Sequence, residues 1–167
     1  MTQLSRAVLA IALLAASGLA AAAQDVPPTF LVEQGNWWIL RISADSCMAQ
    51  NRPPQEFNAV PYNSVALQQK LGEPQPRLQA FYWPDSFTAG QEVELLVVPS
   101  SGQPFQYPAR ADSDFHVAGV APLTEAQFDQ LTTSATLTIG GDATPQSLVA
   151  GAQELAEVER WLDRCAL

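Results

Sequence analysis

Only one histidine, His116, occurs in the 167 residues, so any histidine chemistry must run through it. Two histidine ligands to one metal are excluded, and no H-E-x-x-H pattern exists. A Ser-His-Asp arrangement would use His116 with Asp112 or Asp114, which lie close in sequence, but no serine sits in a G-x-S-x-G elbow. On an alternating strand His116 falls opposite Phe115 and Val117, so its plainer role is an ordinary exposed or hydrogen-bonded histidine. The second route to acid-base chemistry is a carboxylate pair. Glu92 and Glu94 share one face of a strand, where partial burial would raise the pKa of one of them. The plainer reading of that pair is a solvated sheet face. Asp112-Ser113-Asp114 reads as Asx turn chemistry rather than a calcium loop, which needs a longer acidic pattern with glycine. No glycine-rich phosphate cradle follows a strand. No metal site and no cofactor are expected.

Aromatic side chains supply the other candidate surface. Trp37 shares a strand face with Arg41, and Tyr82 shares one with Leu78. An exposed Trp or Tyr on a sheet serves a sugar or protein partner, whereas a packed one serves the core. Trp37, Arg41 and Tyr82 are therefore the candidate binding surface.

The elements that would position these residues are mostly strands. Residues 77–100 (RLQAFYWPDSFTAGQEVELLVVPS) carry the densest β signal and read as two strands, 78–83 and 91–98, joined by a polar turn at the centre of an antiparallel sheet. Leu78, Ala80 and Tyr82 form one face of the first. Val93, Leu95 and Val97 form one face of the second. Leu96 and Val98 end its opposite face, which implies a cover there. Residues 36–43 (NWWILRIS) are the first strand, with the apolar Trp38, Leu40 and Ile42 face directed to the core. Residues 47–50 return as a short second strand. The loop 51–63 carries Pro53, Pro54 and Pro61 and reads as loop or edge. Residues 64–70 suit a strand better than a short helix. Residues 105–109 read as an edge segment limited by Pro108, and 115–120 and 135–139 as strands. Thr124 is an N-cap for a short helix over 126–131. Residues 147–149 form a last short strand. Helix 152–165 places Leu155, Val158, Leu162 and Cys165 on one stripe. The pattern predicts a mainly β chain, an antiparallel β-sandwich or barrel-like fold with a short helix and a C-terminal helix packed on it.

Residues 1–23 read as a secretory signal peptide. Arg6 is the positive end, 7–19 the apolar run, and Ala21-Ala22-Ala23 the small-x-small cleavage site. The apolar run of about 13 residues is short of the ~20 a span requires. Residues 24–167 then form a single β-rich domain of 144 residues with no membrane span. Losing Arg6 takes the formal charge from −9 to −10, and one lysine with scattered arginines offers nucleic acid no basic patch. In an oxidising compartment Cys47 and Cys165 are expected to pair, closing a 118-residue loop, whereas a redox dithiol would usually be C-x-x-C.

A leader is followed by a Trp-rich strand at 36–43 and Cys47. Then come the 78–98 strand pair, a strand and short helix over 115–131, a β segment at 135–139, and Ser147-Leu148 before a helix ending in Cys165. This layout resembles the invasion-associated locus B family of proteobacterial periplasmic proteins, although the early additional cysteine often found there is absent. The resemblance implies a secreted β-sandwich and brings no catalytic residues. The expected function is a periplasmic or secreted, non-enzymatic binding or accessory protein with a possible protein partner in the cell envelope. The alternatives are a hydrolase using Glu92 and Glu94 or His116, and an inhibitor or immunity-type protein that inserts a loop such as 51–63 into its partner.

Overall fold

The computed structural model describes residues 29–51 and 62–165. The expected leader at 1–23 and most of the 51–63 loop lie outside the described residues. The chain forms one ten-stranded antiparallel sheet, not closed, and two helices. The strands are β1 Thr29–Gln34, β2 Trp37–Ser43, β3 Ser46–Asn51, β4 Ser64–Lys70, β5 Arg77–Phe81, β6 Glu92–Pro99, β7 Phe105–Ala111, β8 His116–Gly119, β9 Thr136–Gly140 and β10 Leu148–Gly151. Their spatial order is β1-β2-β3-β4-β5-β8-β7-β6-β9-β10. The helices are α1 Glu125–Thr132 and α2 Leu155–Cys165.

The sheet coils so that its inner face encloses the core. Large twisted sheets curl in this way because each strand pair adds rotation of the same hand. The inner face carries Ile39, Ala49, Leu67, Leu78, Val117, Ala109, Leu95 and Ile139, all buried. Helix α2 lies over β2, β3 and β4, and Leu155, Val158, Leu162 and Cys165 are its buried stripe. Cys165 meets Cys47 of β3 at disulfide distance, with the Cα atoms 6.0 Å apart. Helix α1 is fixed by a capping box. The Thr124 hydroxyl accepts from the Gln127 amide, and Gln127 returns a bond to the Thr124 amide.

Several expectations change. β1 is a further strand, and it lacks alternation because it is an exposed edge with a bulge between Phe30 and Val32. On β2 the core face is Trp37 and Ile39, not Trp38, Leu40 and Ile42. The inward face is the mixed one, with Arg41 half-buried beyond Trp37 and Ile39, so alternation alone favours the wrong side. Trp37 goes inward, where its indole N–H reaches the Gly151 carbonyl, while Trp38 packs edge-on against Phe30 of β1 at 6.0 Å. The 78–98 stretch is not a hairpin, because β8 and β7 stand between β5 and β6. The connecting loop gives its amides to that inserted pair: Ser86 and Phe87 donate to the Asp114 carbonyl and Gly90 to that of Ala111. Phe87 anchors it by burying against Tyr82, with ring centroids 5.2 Å apart. Leu96 on β6 is uncovered, at 42% exposure.

β7 is an interior strand despite Pro108, not an edge. The Pro108 carbonyl accepts from Val120 on the β8 side. A residue's amide and carbonyl point toward the same neighbour in a strand. The missing N–H therefore faces the end of β8, and the ladder to β6 loses no bond.

Candidate functional site

The residues proposed from the sequence separate in space. Trp37 and Tyr82 are 0% exposed and belong to the core, so they do not form a binding surface. Arg41 is half-buried at the β2 position opposite Cys47. Burial pushes the Tyr82 hydroxyl up to about 12, with Thr144 drawing it back in part, and that hydroxyl makes no hydrogen bond of normal geometry. Glu92 and Glu94 share the outer face of β6 and are both exposed. Glu92 stands opposite Arg110 and Glu94 opposite Pro108. Glu94 lines a shallow depression with Leu96, Gln106 and Asp142, away from His116.

His116 is on the same outer face, two strands from β6, and it organises more than the sequence indicates. Its ring stacks on Phe81 at 4.4 Å with planes 10° apart. Its Nε2 lies 3.0 Å from the Gln79 side-chain oxygen. The Gln79 amide nitrogen donates in turn to Gln68 at 2.5 Å, and the Gln68 amide nitrogen donates to the Ser46 hydroxyl at 2.8 Å. A continuous polar chain thus crosses β8, β5, β4 and β3. The other ring nitrogen, Nδ1, lies 3.6 Å from an Asp112 carboxylate oxygen. Burial pushes the imidazole below its usual 6.5, and Asp112 opposes that in part. Asp112 is the carboxylate beside the histidine, whereas Asp114 accepts from the Asp85 amide and shapes the preceding loop.

The strand register lays these side chains out in rows. Ser64, Phe81 and His116 form one. Ala66, Gln79, Ala118, Arg110 and Glu92 form the next. Gln68 and Arg77 form the third. Ala118 is the smallest member between Gln79 and Arg110, so the surface dips over it. The dip is a depression of about 440 Å³ lined by Gln68, Lys70, Arg77, Arg110, Asp112, Ala118, Gly119 and Val120. The Arg77 guanidinium is held by Glu73, with Nε–Oε2 at 3.0 Å, and also donates to the Val120 carbonyl at 2.9 Å. Lys70 and Arg110 have no ion-pair partner among the described residues. Beyond the end of β5 the same face gains aromatic surface. Trp83, 54% exposed, lies 5.4 Å from Tyr62, and Tyr62 lies 5.5 Å from Phe115.

The sequence reading missed Ser46, Gln68 and Gln79, because they become neighbours only through pairing between β3, β4, β5 and β8. A weak signal existed: polar residues interrupt otherwise apolar strands at one parity. Among the described residues no three His, Cys, Asp or Glu side chains converge, and no helix is long and apolar enough to cross a membrane. No family model, curated protein or solved structure matches this chain.

Proposed function

We propose that this chain is a secreted periplasmic binding or accessory protein that acts without catalysis, and that the outer face of β4, β5, β8 and β7 receives its partner. One observation carries this reading. A hydrogen-bonded polar chain from His116 to Ser46 is built into that face, between a cationic depression and the exposed Trp83. Such a surface combines a rigid polar frame, aromatic area and charge, the mixture found where partners are anchored. His116 serves here as a frame member, since its Nε2 is engaged by Gln79 and its ring by Phe81. The leader-like residues 1–23 and the Cys47–Cys165 pair at bonding distance support an oxidising, extracytoplasmic setting. Kinship with the invasion-associated locus B family is part of the same proposal and rests on the shared layout.

The test is a crosslinking pull-down of the mature protein from its native cell envelope, alongside a Trp83→Ala/Arg110→Gln variant. A partner at fixed stoichiometry, captured by the wild type and lost from the variant, is expected. Equal capture by both would overturn the assignment of this face. The exported protein should begin at Gln24 by intact mass, and retention of residues 1–23 in the mature product would contradict secretion by this route.

A further inference from the structure

From the rows around Ala118 we infer that the depression binds an oxyanion group, a carboxylate or phosphoryl, held between Lys70 and Arg110. This deepens the reading of the outer face as the binding face and rests on it. Charge supplies the first argument. The chain carries a formal −9, yet Lys70, Arg77 and Arg110, three of its eight basic residues, line this one depression. Arg77 is neutralised by Glu73 in a two-pronged contact and is fixed further by the Val120 carbonyl. Its role is therefore to build the wall. Lys70 and Arg110 remain exposed and form no ion pair among the described residues, although Glu92 stands across from Arg110 on β6 and shares the outer face with it.

Shape supplies the second argument. Arg110 stands directly across from Ala118 on the neighbouring strand, and Gln79 stands across from Ala118 on the other side. A methyl group between two long polar side chains leaves room for a group above it. A guanidinium offers a planar fork that matches a carboxylate or phosphate, and an ammonium adds a mobile point charge. Asp112 lines the same depression but lies 3.6 Å from His116 Nδ1, which places its charge toward the histidine side. The depression is also open to solvent at roughly 440 Å³, which suits a small anion or a terminal acidic group on a larger molecule.

The test uses the isotope-labelled mature protein, titrated separately with inorganic phosphate, succinate and chloride at constant ionic strength, with amide shifts followed by NMR. Saturable shifts at Arg110, Ala118 and Gly119 are expected with phosphate or succinate and not with chloride. Arg110→Gln should weaken the response at least about tenfold, as loss of a charge-assisted contact requires. Response to phosphate alone assigns a phosphoryl ligand, and response to succinate alone assigns a carboxylate. Shifts that chloride reproduces, or that survive in a Lys70→Gln/Arg110→Gln variant with an unchanged fold, overturn the inference. Partner capture that persists in this double variant but is lost in Trp83→Ala would leave the binding face standing and remove only its anion site.

Discussion

The indole N–H of Trp37 donates to the carbonyl of Gly151 at 3.0 Å, joining β2 near one end of the sheet to β10 at the other. These residues are 114 apart in sequence, and the bond closes the coil where no strand ladder does. Trp37 is also fully buried, so one side chain provides both core volume and the clasp. Trp37→Phe should lose the clasp while keeping an aromatic ring, at about 1–3 kcal/mol, and Trp37→Ala should cost ~3–5 kcal/mol. Urea unfolding of the two variants measures both. A loss below about 0.5 kcal/mol in Trp37→Ala would contradict a core role.

The Cys47–Cys165 pair ties β3 to the end of α2 across 118 residues. Removing a native bridge typically costs about 2–5 kcal/mol. Cys47→Ala/Cys165→Ala should lose stability in that range while keeping its fold at room temperature. Intact mass after alkylation without reductant should show no added label on the native protein, and two labels would mean free thiols.

Tyr82 presents the opposite case. Its buried hydroxyl has no hydrogen bond of normal geometry, and Tyr82→Phe removes that group while keeping the ring. The substitution should be neutral or stabilising by up to about 1 kcal/mol. A loss of more than ~1 kcal/mol would show that Thr144 forms a working bond with it.

His116 predicts a pH dependence whose direction follows from burial. Its folded pKa lies below the usual 6.5, so the folded state favours the neutral ring. Stability from this group is fully present above 6.5 and is lost as pH falls from there toward the lower folded value. Below that value this group adds no further loss. His116→Gln should flatten this part of the profile. Comparing urea midpoints for wild type and variant at pH 7.5 and 5 isolates the effect, and parallel profiles would contradict it.

Gly119 on β8 marks a packing constraint under the candidate site. A Cβ there would sit 2.1 Å from the Tyr107 hydroxyl oxygen. That hydroxyl is held by the Leu78 amide at 3.2 Å and donates to the Ala121 carbonyl at 2.5 Å, so it cannot easily move aside. Gly119→Ala should cost about 1–3 kcal/mol through overpacking. A neutral Gly119→Ala would mean that the Tyr107 ring shifts freely.

The legible part of this fold was local. The Leu155, Val158, Leu162 and Cys165 stripe, the Thr124 cap and the Val93, Leu95 and Val97 face all follow from spacing within one element, and the structure buries or caps each as that spacing requires. Strand order was not legible, because nothing local says that the β7–β8 pair inserts between β5 and β6. The inward turn of Trp37 was hidden for a related reason. On β2 the mixed face of Trp37, Ile39 and Arg41 turns inward, against the alternation, and the Gly151 carbonyl that receives the Trp37 indole N–H lies 114 residues away. The candidate site was least legible. Lys70, Arg77 and Arg110 lie on three different strands, and Ala118, which makes the depression between them, carries no chemical signal of its own. Of the chemistry-bearing residues, His116 was found, but its partners Gln79, Gln68 and Ser46 come from pairing that a linear reading does not contain.

Site-specific photocrosslinking in the native cell envelope tests the binding face most directly. A photoreactive residue would replace Val120, which is exposed and lines the depression, and in a separate protein Val149, exposed on the edge strand β10. The outer-face account predicts one discrete adduct from position 120 and none of that mass from position 149, and the anion site predicts in addition that Arg110→Gln weakens the adduct. The same adduct from both positions, or an adduct from position 149 alone, would contradict it.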